Sequence, residues 1–413
     1  MNNLAKEEKG TEIIRELIKE ALAEKACDIH FEPQKDGSFI VKYRIEEGLK
    51  EIKLLAFEIT EKVIFQLKKM AGMNDETTAA QKGNFFIKTE DNGIELSVRV
   101  GTLPLPSGER IVLSINKNKK TCRDKTFNIP DFQKEDIEQI KEILDKTAGI
   151  VFITGTAGSG HTDTWYSALN YISAKRGGSI NIISLESSTE CQINGIVRLK
   201  IDASGENEYY NTLKSLIWQD PDVIFIDNIP DRNTGRIISD IALTGHMVTV
   251  KLNACDIFDG IKTLKKLGFE PCILASTLEG AIACRTVKTI CKNCIEEYTP
   301  DEDISERYYL RLYQRCLRSR ISSPEETAKK VSLYRGKGCK ECNHTGYGGH
   351  TGLYEILTPD MEMKDLFARK LDFKEFKERL MGKDFVTLRE KALRYALSGV
   401  TTLEEALKVS YSS

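Results

Sequence analysis

Several things are missing from this 413-residue chain. It has no uninterrupted apolar run of about 18 residues, so no membrane-crossing helix is expected. Its first residues, MNNLAKEEKGTEII, hold no apolar core of a secretory signal, and a cytoplasmic protein is therefore expected. Neither charge dominates: 60 Lys and Arg stand against 62 Asp and Glu, a net −2. That balance excludes a globally basic nucleic-acid binder, though not a local basic patch. No internal repeat is visible. What remains, 40% apolar and 30% charged residues, is ordinary for a globular protein long enough for about two or three domains.

Cysteine, by contrast, is plentiful. Eleven in a cytoplasmic chain suggest metal binding or buried thiols rather than disulfides. Four of them form two pairs, Cys291-x-x-Cys294 and Cys339-x-x-Cys342, and four thiolates suit tetrahedral zinc. The second pair lies in GCKECNHTGYGG, a Gly-rich turn of zinc-ribbon character. The long gap between the pairs leaves unliganded thiols as the alternative. A redox role is less economical, since one CxxC would suffice.

Apolar residues Ile13, Ile14, Leu17, Ile18, Ala21 and Leu22 recur at helical spacing over 11–25. DIHFEP and FIVKYRI read as strands around a turn at QKDGS, and a helix over 58–70 stops at Ala71-Gly72. GNFFIKT, GIELSVRVGTLP and RIVLSI read as further strands, making an α+β domain over 1–116. The polar, basic NKNKKTCRDKTFNIPDF reads as a linker over 117–133, or as an ordered surface loop; both place a boundary there. Beyond it, a helix over 135–146 leads into AGIVFITG, a continuous apolar run typical of a buried parallel strand. Strands INIISLE, IVRLKID, DVIFID and HMVTVKL then alternate with helices over 164–174, NEYYNTLKSLIWQ, 234–243 and 256–267. This alternation implies an α/β domain with a mainly parallel sheet, placed at 134–283. The remainder, 284–413, is expected to be mostly helical, interrupted by the cysteine pairs.

Between AGIVFITG and its helix lies a loop that nearly matches a phosphate-binding pattern: Gly155, Thr156, Ala157, Gly158, Ser159, Gly160, His161, Thr162. Glycines let such a backbone turn tightly and point N–H groups at phosphate, and the helix N-terminus adds its dipole. Thr162 stands where a hydroxyl would ligate magnesium. The missing part is the lysine, replaced by His161. Alone, the loop fits a nucleotide site and a ligand-free Gly-rich turn equally well. The strand of WQDPDVIFIDNIPD, running into Asp227, resembles a magnesium-side acidic motif, and the two signals strengthen each other. Finally, Arg307, Arg311, Arg315 and Arg318 recur at helical spacing over 307–320. That stripe could meet anionic lipid or nucleic acid, or be a solvated helix face.

Taken in order, these stretches resemble the ATPases of type II secretion, type IV pilus assembly and related systems. ACDIHFEP, LSVRVGTLPLPSGERIVLSI, the loop with TWYSALNYI, LESSTECQINGI, LKSLIWQDPDVIFIDNIPD, ALTGHMV, CRTVKTIC and GYGGHTGLYEIL carry the resemblance over about residues 11–410. It implies an α/β architecture: a RecA-like phosphate-loop domain preceded by a smaller α+β domain, with a C-terminal helical region carrying a zinc-ribbon-like tetracysteine site. It implies ATP or ADP with magnesium, held by residues 155–162 and Asp227, and retained catalytic positions at Glu186, Glu190, His246 and Arg99. It implies a homo- or hetero-hexamer at the inner face of the cytoplasmic membrane. Its partners would be a membrane-embedded platform protein, an active ATPase paralogue, or both; nucleic acid is not expected.

The departures from the family pattern all point one way. The lysine is His161, the Asp-Pro between the two glutamates is Ser187-Ser188, and a glutamate that helps polarise water is Asn228. A second histidine is Asn253, and an arginine after IVL is Ser114. Phosphoryl transfer depends on positioning and charge neutralisation, and an imidazole with an ordinary pKa of about 6.5 is mostly neutral at pH 7. Weak nucleotide binding with impaired hydrolysis is the leading expectation. A slow but genuine ATPase is the alternative, and a zinc-dependent binding module resting on the arginine stripe is a third.

Overall fold

The computed structural model describes residues 2–24, 26–45, 48–74, 79–88, 95–116, 133–187, 193–201, 208–298, 332–369, 373–382 and 385–411. The expected linker, apart from residue 133, and the arginine stripe 307–320 lie outside them. The chain divides into two compact units, residues 1–121 and 122–413.

In the first unit, helix α1 (Asn2–Ala23) is followed by β1 (Asp28–Pro33), β2 (Phe39–Ile45), β3 (Gly48–Leu55), α2 (Phe57–Met70), β4 (Gln81–Lys88), β5 (Glu95–Leu105) and β6 (Gly108–Asn116). The strands form one antiparallel sheet in the order β3-β2-β1-β6-β5-β4. Ile14, Leu17, Ile18 and Ala21, spaced along one stripe of α1, are buried with Val63 and Leu67 of α2. They join alternate strand residues such as Ile29, Phe31, Val41, Tyr43, Val98, Val100, Ile111 and Leu113. The edge strand β3 escaped the sequence reading. Of GLKEIKLL only Leu55 is buried, so no period-two apolar signal exists there.

The second unit begins with α3 (Lys134–Leu144), β7 (Gly149–Thr154), α4 (His161–Arg176), β8 (Ile182–Glu186), β9 (Val197–Lys200), α5 (Glu208–Ile217) and β10 (Val223–Ile226). It continues with α6 (Arg232–Leu243), β11 (Met247–Leu252), α7 (Ile257–Lys266), α8 (Pro271–Thr277) and β12 (Leu278–Ile290). Last come β13 (Ile295–Tyr298), β14 (Leu333–Gly336), β15 (Tyr347–Leu357), α9 (Met361–Ala368), α10 (Phe373–Met381), α11 (Leu388–Leu397) and α12 (Leu403–Tyr411). Seven strands form a sheet in the order β15-β12-β7-β11-β10-β8-β9, parallel throughout except for β15. Helices cover both faces, which is why the central strands read as unbroken apolar runs. Val151 and Ile153 of β7 pack with α3 and α4, while Ile150 and Phe152 pack in a second core on the other face.

The C-terminal part is less helical than its sequence suggests. Strand β12 runs across residue 283, where a boundary was expected, and β15 pairs antiparallel along it. The α/β sheet therefore extends into the C-terminal region, and α9 to α12 lie beyond it. A charge inside β15 masks the strand: Glu355 is buried and accepts the backbone N–H groups of Ile257 and Leu388, each at 3.0 Å. One carboxylate thus serves the first residues of two helices, α7 and α11.

Candidate functional site

The near-phosphate loop joins β7 to α4, and α4 starts at His161 rather than at the expected 164. His161 and Thr162 therefore occupy its first turn. Gly160 takes a left-handed conformation, φ 80°, at the helix N-cap. Gly155 is required for another reason: a Cβ there would lie 2.1 Å from Ser159 Oγ. The Ser159 N–H donates to the Thr156 carbonyl at 3.0 Å, closing a turn. Thr154 Oγ1 donates to the carbonyls of Leu252 and Ala254 at 3.3 and 3.1 Å, tying the base of the loop to the end of β11. Thr156, Ala157 and Gly158 are exposed at the tip, and Thr162 is half-buried.

His161 is buried, with Nδ1 3.0 Å from Ser159 Oγ. Burial, and then the positive charge of Lys251, pull its pKa down to about 4. It is a neutral imidazole near pH 7, so position 161 carries no fixed cation.

Glu186 ends β8, fully buried. Ser184 and Tyr166 hydroxyls donate to its two oxygens at 2.6 and 2.7 Å, Arg198 Nε donates at 2.7 Å, and Arg198 Nη2 closes a bidentate pair. Both carboxylate oxygens are thus engaged. Asp227 follows β10; its Oδ2 accepts the Ser187 N–H at 2.8 Å and the Ser187 hydroxyl at 2.6 Å. The Tyr209 hydroxyl lies 3.4 Å from its Oδ1. Since β11 lies between β7 and β10, Asp227 stands two strand spacings from the end of β7, about 10 Å.

Of the other expected site residues, His246 lies away from the loop. Met247 pairs with Gly149 and Leu252 with Thr154, so His246 precedes β11 at the end of the sheet opposite the loop. Its Nδ1 lies 3.0 Å from Thr244 Oγ1 and 3.1 Å from the Ile241 carbonyl. Arg99 is exposed on β5 of the first unit, opposite Asn84 and Ser114. Glu190 lies outside the described residues.

Two basic residues that the sequence reading did not single out reach this region. Arg285 of β12 is 6% exposed, and its Nη1 donates to Thr156 Oγ1 at 2.6 Å. Its Nη2 is buried without a hydrogen-bond partner among the described residues. The adjacent Thr286 hydroxyl donates to the Gly158 carbonyl at 2.9 Å. Lys251 of β11 is in register with Ile153, and its Nζ lies 5.5 Å from the centre of the Trp165 ring. The available signal was a lysine in HMVTVKL and two cations, Arg285 and Lys288, in CRTVKTIC, among residues of strand-forming type.

The four paired cysteines come together. The Sγ atoms of Cys291, Cys294, Cys339 and Cys342 all lie within 4.8 Å of one another, with separations of 3.9, 3.8 and 3.7 Å for 291–339, 294–342 and 339–342. These are too long for disulfide bonds. Pairing of β13 with β14 closes the long gap in sequence: Ile295 is opposite Gly336, and the Lys337 N–H donates to the Cys294 carbonyl at 3.0 Å. The N–H groups of Cys339 and Gly346 point at Cys342 Sγ from 3.2 and 3.3 Å. Led by the Cys339 contact, they help pull that thiol down to about 6. Such a cluster could hold a metal ion.

The mainly parallel sheet, the glycine-rich turn at the end of its β7 strand and the acidic residue two strands away define an α/β protein with a candidate ligand site at that end of the sheet. Comparison makes the assignment specific: residues 3–408 match the family model described as type II/IV secretion system protein, and the chain belongs to that family. It is 31% identical to the type IV pilus assembly ATPase PilB of Thermus thermophilus over 97% of its own length and 43% of the relative's. It is 30% identical to type II secretion system protein E of Pseudomonas aeruginosa, over 96% of this chain and 75% of that protein. The fold matches the X-ray structure of the ATPase DotB of Legionella pneumophila with a TM-score of 0.65 at 14% identity, covering 97% of this chain and 96% of that one. No described helix is long and apolar enough to cross a membrane.

Proposed function

We propose that the protein is a nucleotide-binding but catalytically impaired member of a secretion or pilus assembly motor, with a RecA-like second unit, acting as a structural or regulatory subunit. Its setting would be a homo- or hetero-hexamer on a membrane platform protein, with or without an active paralogue. The observation that carries this reading is the state of two positions on which hydrolysis would depend. Position 161 holds a buried neutral imidazole, and Glu186 is fastened on both oxygens by Arg198, Tyr166 and Ser184. Phosphoryl transfer is catalysed by fixed charge and by a group free to orient water, and neither position supplies its share. Binding makes weaker demands. The turn at 155–160, the N-terminus of the 16-residue α4 and the unsatisfied Nη2 of Arg285 fit a polyphosphate. Thr162 and Asp227 would hold its magnesium, with Ser187 competing for Asp227.

Zinc is the metal we assign to the cysteine cluster. Tetrahedral zinc–sulfur bonds of about 2.3 Å put sulfurs about 3.8 Å apart, and four thiolates favour this ion. The observed separations of 3.7–3.9 Å support that choice.

Calorimetric titration of the purified chain with ADP and ATP, with and without magnesium, and a phosphate-release assay test the function. Binding without measurable turnover is expected. Turnover at the rate of an intact motor, abolished by Asp227→Ala, would refute impaired hydrolysis.

A further inference from the structure

Lys251 and Arg285 lie on the two strands that flank β7, the strand leading into the loop. They approach from opposite faces of the sheet. Arg285 sits between Ala283 and Val287, which pack in the core of one face, whereas Lys251 lies on the α4 side against Trp165. Neither makes an ion pair among the described residues. A guanidinium that is 6% exposed, with one nitrogen on the loop's Thr156 and the other unsatisfied, is costly unless an anion meets it. Lys251 lies near enough to the loop for its charge to be the second-largest cause of the low pKa of His161.

We propose that Lys251 and Arg285 together supply the phosphate-binding charge that position 161 lacks, so that a polyphosphate is gripped from β11 and β12 rather than from the loop itself. The proposal rests on the nucleotide-binding reading above and makes it more specific. The loop provides backbone N–H groups, and the two neighbouring strands provide the cations. The ligand class is a nucleoside di- or triphosphate, recognised chiefly through its phosphates.

The test is titration of the full chain with fluorescently labelled ADP and ATP in magnesium, alongside adenosine. Lys251→Met keeps the aliphatic stem beside Trp165 while removing the charge. Arg285→Met removes the second cation, and Arg285→Lys is the fallback should that variant fail to fold. Removing a charged hydrogen bond to phosphate is expected to weaken ADP binding about tenfold to a hundredfold in Lys251→Met and Arg285→Met, and at least severalfold in Arg285→Lys. Any adenosine affinity should be unchanged. Adding His161→Lys to Lys251→Met should restore most of the loss, because the charge returns to the same phosphates. If the wild type binds ADP and the variants bind it equally well, the proposal is wrong and the nucleotide-binding reading stands. If adenosine binding weakens in parallel with ADP, the residues serve the pocket's shape and the proposal is wrong. If the wild type binds neither ADP nor ATP, both readings fall together.

Discussion

Replacing Arg198 with methionine removes the guanidinium that holds Glu186 and leaves the aliphatic bulk of the side chain in place. The side chains of Glu186 and Arg198 are 1% and 12% exposed, so this is a buried ion pair rather than a surface one. Breaking such a pair from one side typically costs about 3–5 kcal/mol, because the remaining charge stays buried without its counter-ion. Here the Tyr166 and Ser184 hydroxyls still donate to Glu186, which places the expectation at the lower end, about 3 kcal/mol. With a urea m-value of about 3 kcal/mol/M, that is a midpoint shift of about 1 M. The readout is selective: the chain has 2 tryptophans, Trp165 and Trp218, both in the second unit, so tryptophan fluorescence follows that unit alone. The companion variant Arg198→Met/Glu186→Gln removes the stranded charge and should recover most of the loss, giving a coupling energy well outside the additive range. A single-variant shift below about 0.3 M, or a double variant no better than the single, would refute the argument. Glu186 would then be free of Arg198 in solution, and the case for impaired hydrolysis would lose one of its two supports.

Two further predictions concern the C-terminal region. Protein purified without chelator should carry about one zinc per chain by elemental analysis, and Cys339→Ser should lower that content and deprotect the adjoining ends of β12 and β15 in hydrogen exchange; metal-free wild-type protein would count against the site. Burial raises the pKa of Glu355 from 4.5 to about 7. An acid raised on folding holds its proton in the folded state when the unfolded state has already lost it. Its contribution is therefore full below pH 4.5 and is lost as pH climbs through about 7, a decline of up to about 3 kcal/mol. Comparing the pH dependence of denaturation midpoints in wild type and Glu355→Gln isolates it, and parallel curves would show that the carboxyl is not desolvated.

Strands were legible where the sequence carries an apolar signal, either alternation along half-buried strands such as FIVKYRI or unbroken runs in strands buried on both faces. IVFIT, IISLE and VIFI are largely apolar because helices cover each side of the sheet. The strands that were not legible fail for identifiable reasons. β3 is an edge with almost no buried side chains, β12 carries Arg285 and Lys288, and β15 opens with Tyr-Gly-Gly and hides Glu355 in its interior. The cysteine cluster was legible from its spacing despite the gap, because the β13–β14 pairing that closes the gap needs no signal of its own.

The loop was read from local pattern, and local pattern could account only for the missing lysine. What surrounds the loop depends on strand order. β7 is flanked by β11 and β12, which enter the chain about 100 residues later, and Thr156 meets Arg285 across a separation of 129 positions. A basic residue in an apolar strand costs stability wherever it lies, so its presence calls for a reason. That cost falls most heavily on the buried Arg285 and less on the half-buried Lys251, both beside a turn whose own position 161 is neutral. A phosphate site is defined by where positive charge arrives in space, and in the proposed site that place would be set by the β12-β7-β11 order of the sheet rather than by the eight residues of the motif.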